Sequence, residues 1–451
     1  MRFRILLLCL TAVPLCAQLR VGRAQVKITP PIGVPMAGYY SIRLSEGTHD
    51  DLYAKAIALD VSGQRAVLIA CDLIGSDPSF ATAARELVAK TTGLPVERIM
   101  LSATHSHTGP LFNPRMLVAA PEAARKLAET YIATLPKKIA EAARLALADL
   151  QPARAAYGIG HESTVSFNRR FLMKDGTVKF NPGKMNPGIV RAVGPIDSDL
   201  PVVYFDTPTG SALATYVNFA LHLDTVGGAQ YSADYPYTLA KILGAVKSAN
   251  MLTMFTIGAA GNVNHIDVTN KDPQKGNEEA ARIGTVLAGE ILKTYTRLLP
   301  ITAKSIGASS VKVPLPAPQV TNVERARATA ATFGAKTQAP FLEMVDALKA
   351  LDTVERKGPL EAEVQVITIG DDVAWVAIPG EYFVELGMAI KRASPFRTTI
   401  IVEQANGWLS YIPDRKAFAE GSYEAISSRC APGCGEILVE TAIRMLGNLR
   451  R

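Results

Sequence analysis

Short apolar runs alternate with longer amphipathic stretches along most of the chain. Runs with strand character cover 54–60, 65–72, 98–104, 201–205, 212–219, 252–257, 364–369, 373–378 and 398–404, each bounded by turn residues. Apolar residues recur at helical spacing over 77–92, 121–150, 235–249, 278–295, 381–392 and 436–446. This interleaving predicts an α/β protein, of mixed α+β and α/β character, in which helices pack on mixed β-sheets within a single large domain. Between 314 and 360 the pattern changes to an Ala-, Lys- and Glu-rich stretch flanked by PLPAP and KGP. It predicts a helical insertion within that domain. No repeat or low-complexity tract is visible in the sequence.

Composition bounds the class. With 451 residues, 48% hydrophobic and 20% charged, the chain has the apolar content for a sizeable core. Met1 to Arg4 is basic, and Ile5 to Cys16 is apolar but too short to span a bilayer comfortably. Residues 1–17 therefore read as a signal peptide cut after Ala17, which predicts a secreted or periplasmic mature chain of 18–451. Cys9 and Cys16 would leave with it. Cys71 sits in the run AVLIACD and reads as a buried thiol, while Cys430 and Cys434 enclose APG and are spaced to close a small loop in an oxidising compartment. The formal charge of +7 includes Arg2 and Arg4 of the leader. With no long Lys/Arg run and only two Trp, nucleic acid is excluded as a partner. The mild positive surplus is compatible with peripheral contact at an anionic membrane surface.

The chemistry concentrates where apolar strands give way to loops. MLSATHSHTGP places His105 and His107 two apart at the end of a strand-like run, and the chain has only six histidines. In an extended backbone, side chains at i and i+2 share a face, so both imidazoles would converge on one point. Either they bind a metal, or one is a satisfied core histidine and the other a surface residue. Four further segments share the pattern. NFALHLDT ends in His222 and Asp224. IPGEYF breaks a strand at Pro379 and Gly380, and Glu381 is expected to open a helix, where a carboxylate also suits the dipole. ANGWLSYIPD carries Asn406, Trp408 and Tyr411, and TIGAAGNVNHID carries Asn262, Asn264 and His265. Asp72, Asp234 and His49 are lesser candidates: each carboxylate either supports a metal ligand or caps a local turn.

Taken in order, SATHSHTGP, FNRR, NFALH, IPGE and the Tyr411/Tyr423 pair resemble the neutral ceramidases, amidases that cut the N-acyl bond of sphingolipids. The likeness runs from VGRAQVKITPPIGVPMAGY to SYEA, most of the mature chain. It implies a Zn2+ site held by His105, His222, Glu381 and Tyr411, with a zinc-activated water as nucleophile. It further implies that His107 stands beside the metal as a proton-transfer group, and that Arg169 and Tyr423 hold the developing oxyanion. The implied substrate is a ceramide-like lipid or another small N-acyl amide. The sequence departs from the family in two places. Asn264 stands where the family's segment has a Ser often assigned as nucleophile, which leaves the amide to donate a hydrogen bond and His265 as a substitute proton carrier. The immunoglobulin-like C-terminal domain of full ceramidases is also expected to be missing. A metal-dependent esterase or phosphoesterase, and a zinc-binding homologue without catalysis, are the alternatives.

Overall fold

The computed structural model describes residues 18–450; the leader expected at 1–17 lies outside them. Three sheets carry the fold, and each has a parallel pair of strands at one edge. In the first sheet, Leu19–Lys27, Tyr53–Val61 and Gln64–Cys71 run antiparallel in succession, and Ile99–Ala103 adds parallel to the last of them. In the second, Arg154–His161, Asp199–Asp206 and Ala212–Phe219 are antiparallel, and Leu252–Ile257 adds parallel. The third repeats the plan with Ile306–Pro314, Glu361–Ile369 and Val373–Ala377, followed by parallel Thr398–Val402. A parallel step needs a crossover, and each sheet uses one helix for it: Pro78–Thr92, Tyr235–Lys247 and Val384–Ala393. A recurring topology thus exists without a recurring sequence.

Local chemistry sets these elements. Asp77 caps the helix Pro78–Thr92 by accepting from the Ser79 N–H at 2.8 Å, Pro78 supplies a preset φ, and Gly93 closes the far end at φ 74°. One face of every sheet enters a common core in which Leu59, Leu68, Met100, Phe205, Tyr216, Met254, Ile367, Trp375 and Ile400 meet. Tyr216 and Trp375 contact edge to face there, with ring centroids 5.6 Å apart. The outer faces are covered by helices: Pro78–Thr92 and Glu122–Ala148 on the first sheet, Tyr235–Lys247 and Asn277–Thr294 on the second, Val384–Ala393 and Cys434–Leu449 on the third. Strands buried on both sides are why the sequence shows unbroken apolar runs.

The predicted α/β character, with helices on mixed sheets, is what the structure has. Between the antiparallel partners Ile306–Pro314 and Glu361–Ile369 stand two helices, Val323–Ala330 and Phe341–Val354. Cys430 and Cys434 are bonded, and Cys71 is a buried thiol. One expectation fails. Glu381 does not open a helix: Glu381–Tyr382 is a short strand parallel to Tyr411–Ile412, and the helix begins only at Val384. Gly380 permits this, because a Cβ there would lie 2.7 Å from the Ser410 carbonyl oxygen. Among the described residues, no helix is long and apolar enough to cross a membrane.

Candidate metal centre

The parallel edges of the three sheets end close together, and loop hydrogen bonds stitch them. The Asn406 N–H donates to Leu101 at 2.7 Å, Glu403 to Ile257 at 3.3 Å, and Gly261 to Tyr382 at 2.9 Å. Residues following the strands therefore meet although they are remote in sequence. His105 and His107 come from the first sheet, His222 from the second, Glu381 from the third.

The two-apart histidines do converge, but not through extended backbone. His105 has φ 73°, a left-handed conformation unusual for a residue with a Cβ. That kink is held by its own N–H on the Leu73 carbonyl at 2.8 Å. His107 is tied to the second sheet's segment, its N–H donating to Leu223 at 3.1 Å. The outcome is a cluster in which one nitrogen from each of His105, His107 and His222 lies within 4.8 Å of the others. His105 and His222 are buried, and His107 is half-buried.

The ring nitrogens are oriented by backbone. His105 Nδ1–H donates to the Ile74 carbonyl at 2.5 Å and His222 Nδ1–H to the Ala260 carbonyl at 2.9 Å. A carbonyl only accepts, so both rings carry their proton on Nδ1 and turn the Nε2 lone pair inward. His105 and His107 Nε2 are 3.4 Å apart. Glu381 Oε2 lies 3.5 Å from His105 Nε2 and 3.2 Å from His222 Nε2, while Trp408 Nε1–H donates to its Oε1 at 3.1 Å. Burial, then neighbouring His105, holds His107 well below the ordinary imidazole range; burial and then Arg169 lower His222. Burial works against the Glu381 carboxylate, but His105 and His222 outweigh it and hold the carboxyl well below its usual value. With each Nδ1–H held by a carbonyl, the inward Nε2 atoms beside an ionised carboxylate form a donor set competent to hold a metal ion.

Tyr411 stacks against His222, with planes 5° apart and centroids 6.4 Å apart. Burial drives its phenol well above 10, Arg169 opposing and Glu381 adding to the rise. His107 thus stands within the histidine cluster itself, where the sequence reading put it beside the metal. Arg169 Nη1 is 3.4 Å from His222 Nε2, its Nε–H donates to Glu424 at 3.0 Å, and its Nη2–H donates to the Gly261 carbonyl at 2.8 Å. Tyr423 packs edge-on to Tyr411 at 5.2 Å and against Phe180 at 4.7 Å.

The remaining candidates serve structure. Asn264 is fully buried; its Nδ2–H donates to Asn181 at 3.0 Å, and its Oδ1 accepts from the Ile266 N–H at 3.0 Å. His265 donates from Nε2 to the Gln274 carbonyl at 2.7 Å and from Nδ1 to Asp224 at 3.1 Å, so neither nitrogen is free to carry a proton. Asp234 caps the helix Tyr235–Lys247, and Asp72 accepts from the Tyr53 N–H at 2.9 Å. His49 pairs with Asp50 at 2.9 Å and stands outside the cluster. Sequence reasoning missed Glu424, which accepts from both Arg169 and Arg170, and Glu403. Glu403 Oε2 accepts from the Ala260 and Tyr382 N–H groups at 3.1 and 2.8 Å, bracing the carbonyl that orients His222 and the strand that carries Glu381.

A three-sheet α/β fold with a buried histidine–carboxylate cluster at the strand ends is the class that the geometry defines. The fold is that of neutral ceramidase. The crystal structure of the Pseudomonas aeruginosa neutral ceramidase superposes with a TM-score of 0.75 at 21% identity, covering 96% of this chain and 75% of that one. A ceramidase complexed with C2 gives 0.74 at 20% identity over the same shares. No family profile and no curated protein matches the chain in sequence.

Proposed function

We propose that this chain is a secreted or periplasmic zinc-dependent hydrolase of the neutral ceramidase type, cleaving an N-acyl amide bond in a ceramide-like lipid or another N-acyl substrate. The observation that carries the reading is the meeting of His105, His107, His222 and Glu381 within that fold. His105, His222 and Glu381, with Tyr411 against His222, would hold the ion, and His107 stands beside them. Zinc, when bound, supplies Lewis acidity and brings the pKa of a water to roughly 7.

The chain's own groups supply the rest. Arg169 turns Nη1 toward the centre, and Tyr411 and Glu424 overcome burial to keep its guanidinium charged. Burial, then Tyr411, keeps the Tyr423 hydroxyl protonated, so it too is a donor. Both would donate to a carbonyl oxygen that gains charge. His107 holds or passes a proton at Nδ1, a buried atom without a partner among the described residues. Asn264 cannot attack a carbonyl, and with its amide already engaged, a water is the nucleophile.

Metal content and N-acylsphingosine hydrolysis of the mature protein and its His222→Ala variant test the reading. One zinc per chain with amide cleavage, both lost in the variant, is expected. Wild type without zinc overturns it. Zinc without cleavage of amide or ester substrates favours the non-catalytic homologue.

A further inference from the structure

Glu381 has one oxygen facing the histidines and one facing away, and the second is fixed by Trp408 Nε1–H at 3.1 Å. The indole is itself clamped. The Arg429 guanidinium lies over its ring, 4.6 Å from the centroid. Arg429 pairs with Asp352 Oδ2, on the helix Phe341–Val354 of the insertion, and Arg115 Nε–H donates to Asp352 Oδ1 at 2.8 Å. Asp352 thus uses one oxygen for each cation. The same helix starts against the site: Phe341 packs on Tyr423 at 5.3 Å and on Tyr40 at 5.5 Å.

We propose that Trp408 is a positioning residue for the metal-binding carboxylate, and that the insertion acts on the centre through the series Asp352, Arg429, Trp408, Glu381. An indole N–H is donor-only, so it selects the Glu381 rotamer that leaves Oε2 toward His105 and His222. Partners that orient a ligand typically govern affinity by about 10- to 100-fold. The cation over the indole face keeps the ring plane, and hence the N–H direction, in place. The insertion is then a functional part of the site although none of its residues reaches the ligand nitrogens.

The inference rests on the zinc reading above, and the test separates the two. Zinc affinity of the metal-stripped full chain is measured by calorimetry for the wild type, Trp408→Phe, Asp352→Asn and the double variant. Trp408→Phe keeps an aromatic ring for Arg429, smaller than the indole, and loses the donor; its affinity should fall at least about tenfold. Asp352→Asn should weaken binding by a smaller factor, and the double variant should be no weaker than Trp408→Phe, since the second residue works through the first. In a Trp375→Phe background Trp408 is the sole indole, and its emission should change on zinc addition, with the midpoint moved to higher zinc by Asp352→Asn. Unchanged affinity in either single variant, or additive losses in the double, overturns the relay alone. No zinc binding by the wild type overturns relay and metal reading together. Circular dichroism of the stripped proteins shows whether a loss reflects unfolding; Asp352→Asn, partly exposed, carries the test if Trp408→Phe does not fold.

Discussion

His222 and His265 are both fully buried, both follow strands of the second sheet's parallel edge, and yet they are opposite in chemistry. His222 gives Nδ1–H to a backbone carbonyl and leaves Nε2 facing Glu381 and Arg169; burial and then the arginine lower its pKa. His265 has a partner on each nitrogen. Burial opposes its charge, but Asp224 outweighs burial and raises it, while Asp224 is held well below the usual carboxylate range although burial opposes that too. One ring leaves a nitrogen facing the cluster; the other is engaged on both nitrogens and paired with a carboxylate. The difference lies in what the second nitrogen meets, not in burial. A histidine in a strand-end loop is therefore a metal candidate only when one nitrogen is left over.

The sharpest way to break the comparison is to remove each ring in turn. His222→Ala should lower bound zinc from one per chain to near none by metal analysis, with little change in the metal-free fold. His265→Ala should leave zinc stoichiometry intact and lower the unfolding free energy by about 3 kcal/mol, since it strands Asp224. That loss carries a pH signature. His265 has a raised folded pKa, so its contribution is complete below its unfolded value of about 6.5 and disappears as pH rises through the folded one. Asp224 has a depressed folded pKa, so its part is complete above about 3.9 and disappears as pH falls through the folded value. The gap between wild type and variant should be widest from about pH 4 to 6.5 in denaturant titrations, and a pH-independent gap would contradict the ion pair. Asn264→Ala should have the smallest effect, about 1 kcal/mol from its lost hydrogen bonds, with zinc unchanged. Zinc loss in that variant would place Asn264 closer to the centre than its contacts do.

Much of this arrangement was legible in the chain. The apolar runs at 212–219 and 252–257 coincide with strands because strands covered on both faces have no polar positions to blur them. Leu19–Lys27, Arg154–His161 and Ile306–Pro314 went unseen, since each mixes charged or small residues with apolar ones toward a sheet margin. At the site, polar residues just past apolar runs marked His105, His107, His222 and Glu381. The left-handed φ of His105 was not legible, because it depends on a Leu73 carbonyl supplied by another strand end. Nor were Glu403 and Glu424, whose buried carboxylates make sense only beside the distant N–H groups and arginines they accept from.

The centre draws its histidines from the first two sheets and its carboxylate, with Trp408, from the third. During synthesis the earlier sheets leave the ribosome well before Glu381 does, so a nascent chain presents imidazoles without the acid that completes them. Fragments ending before the third sheet should lack the carboxylate of the cluster however well their own strands fold. Two complementary fragments that reassociate should recover metal binding and structure in the same step. Competence is then a property of the finished chain, and a truncated product is a silent one.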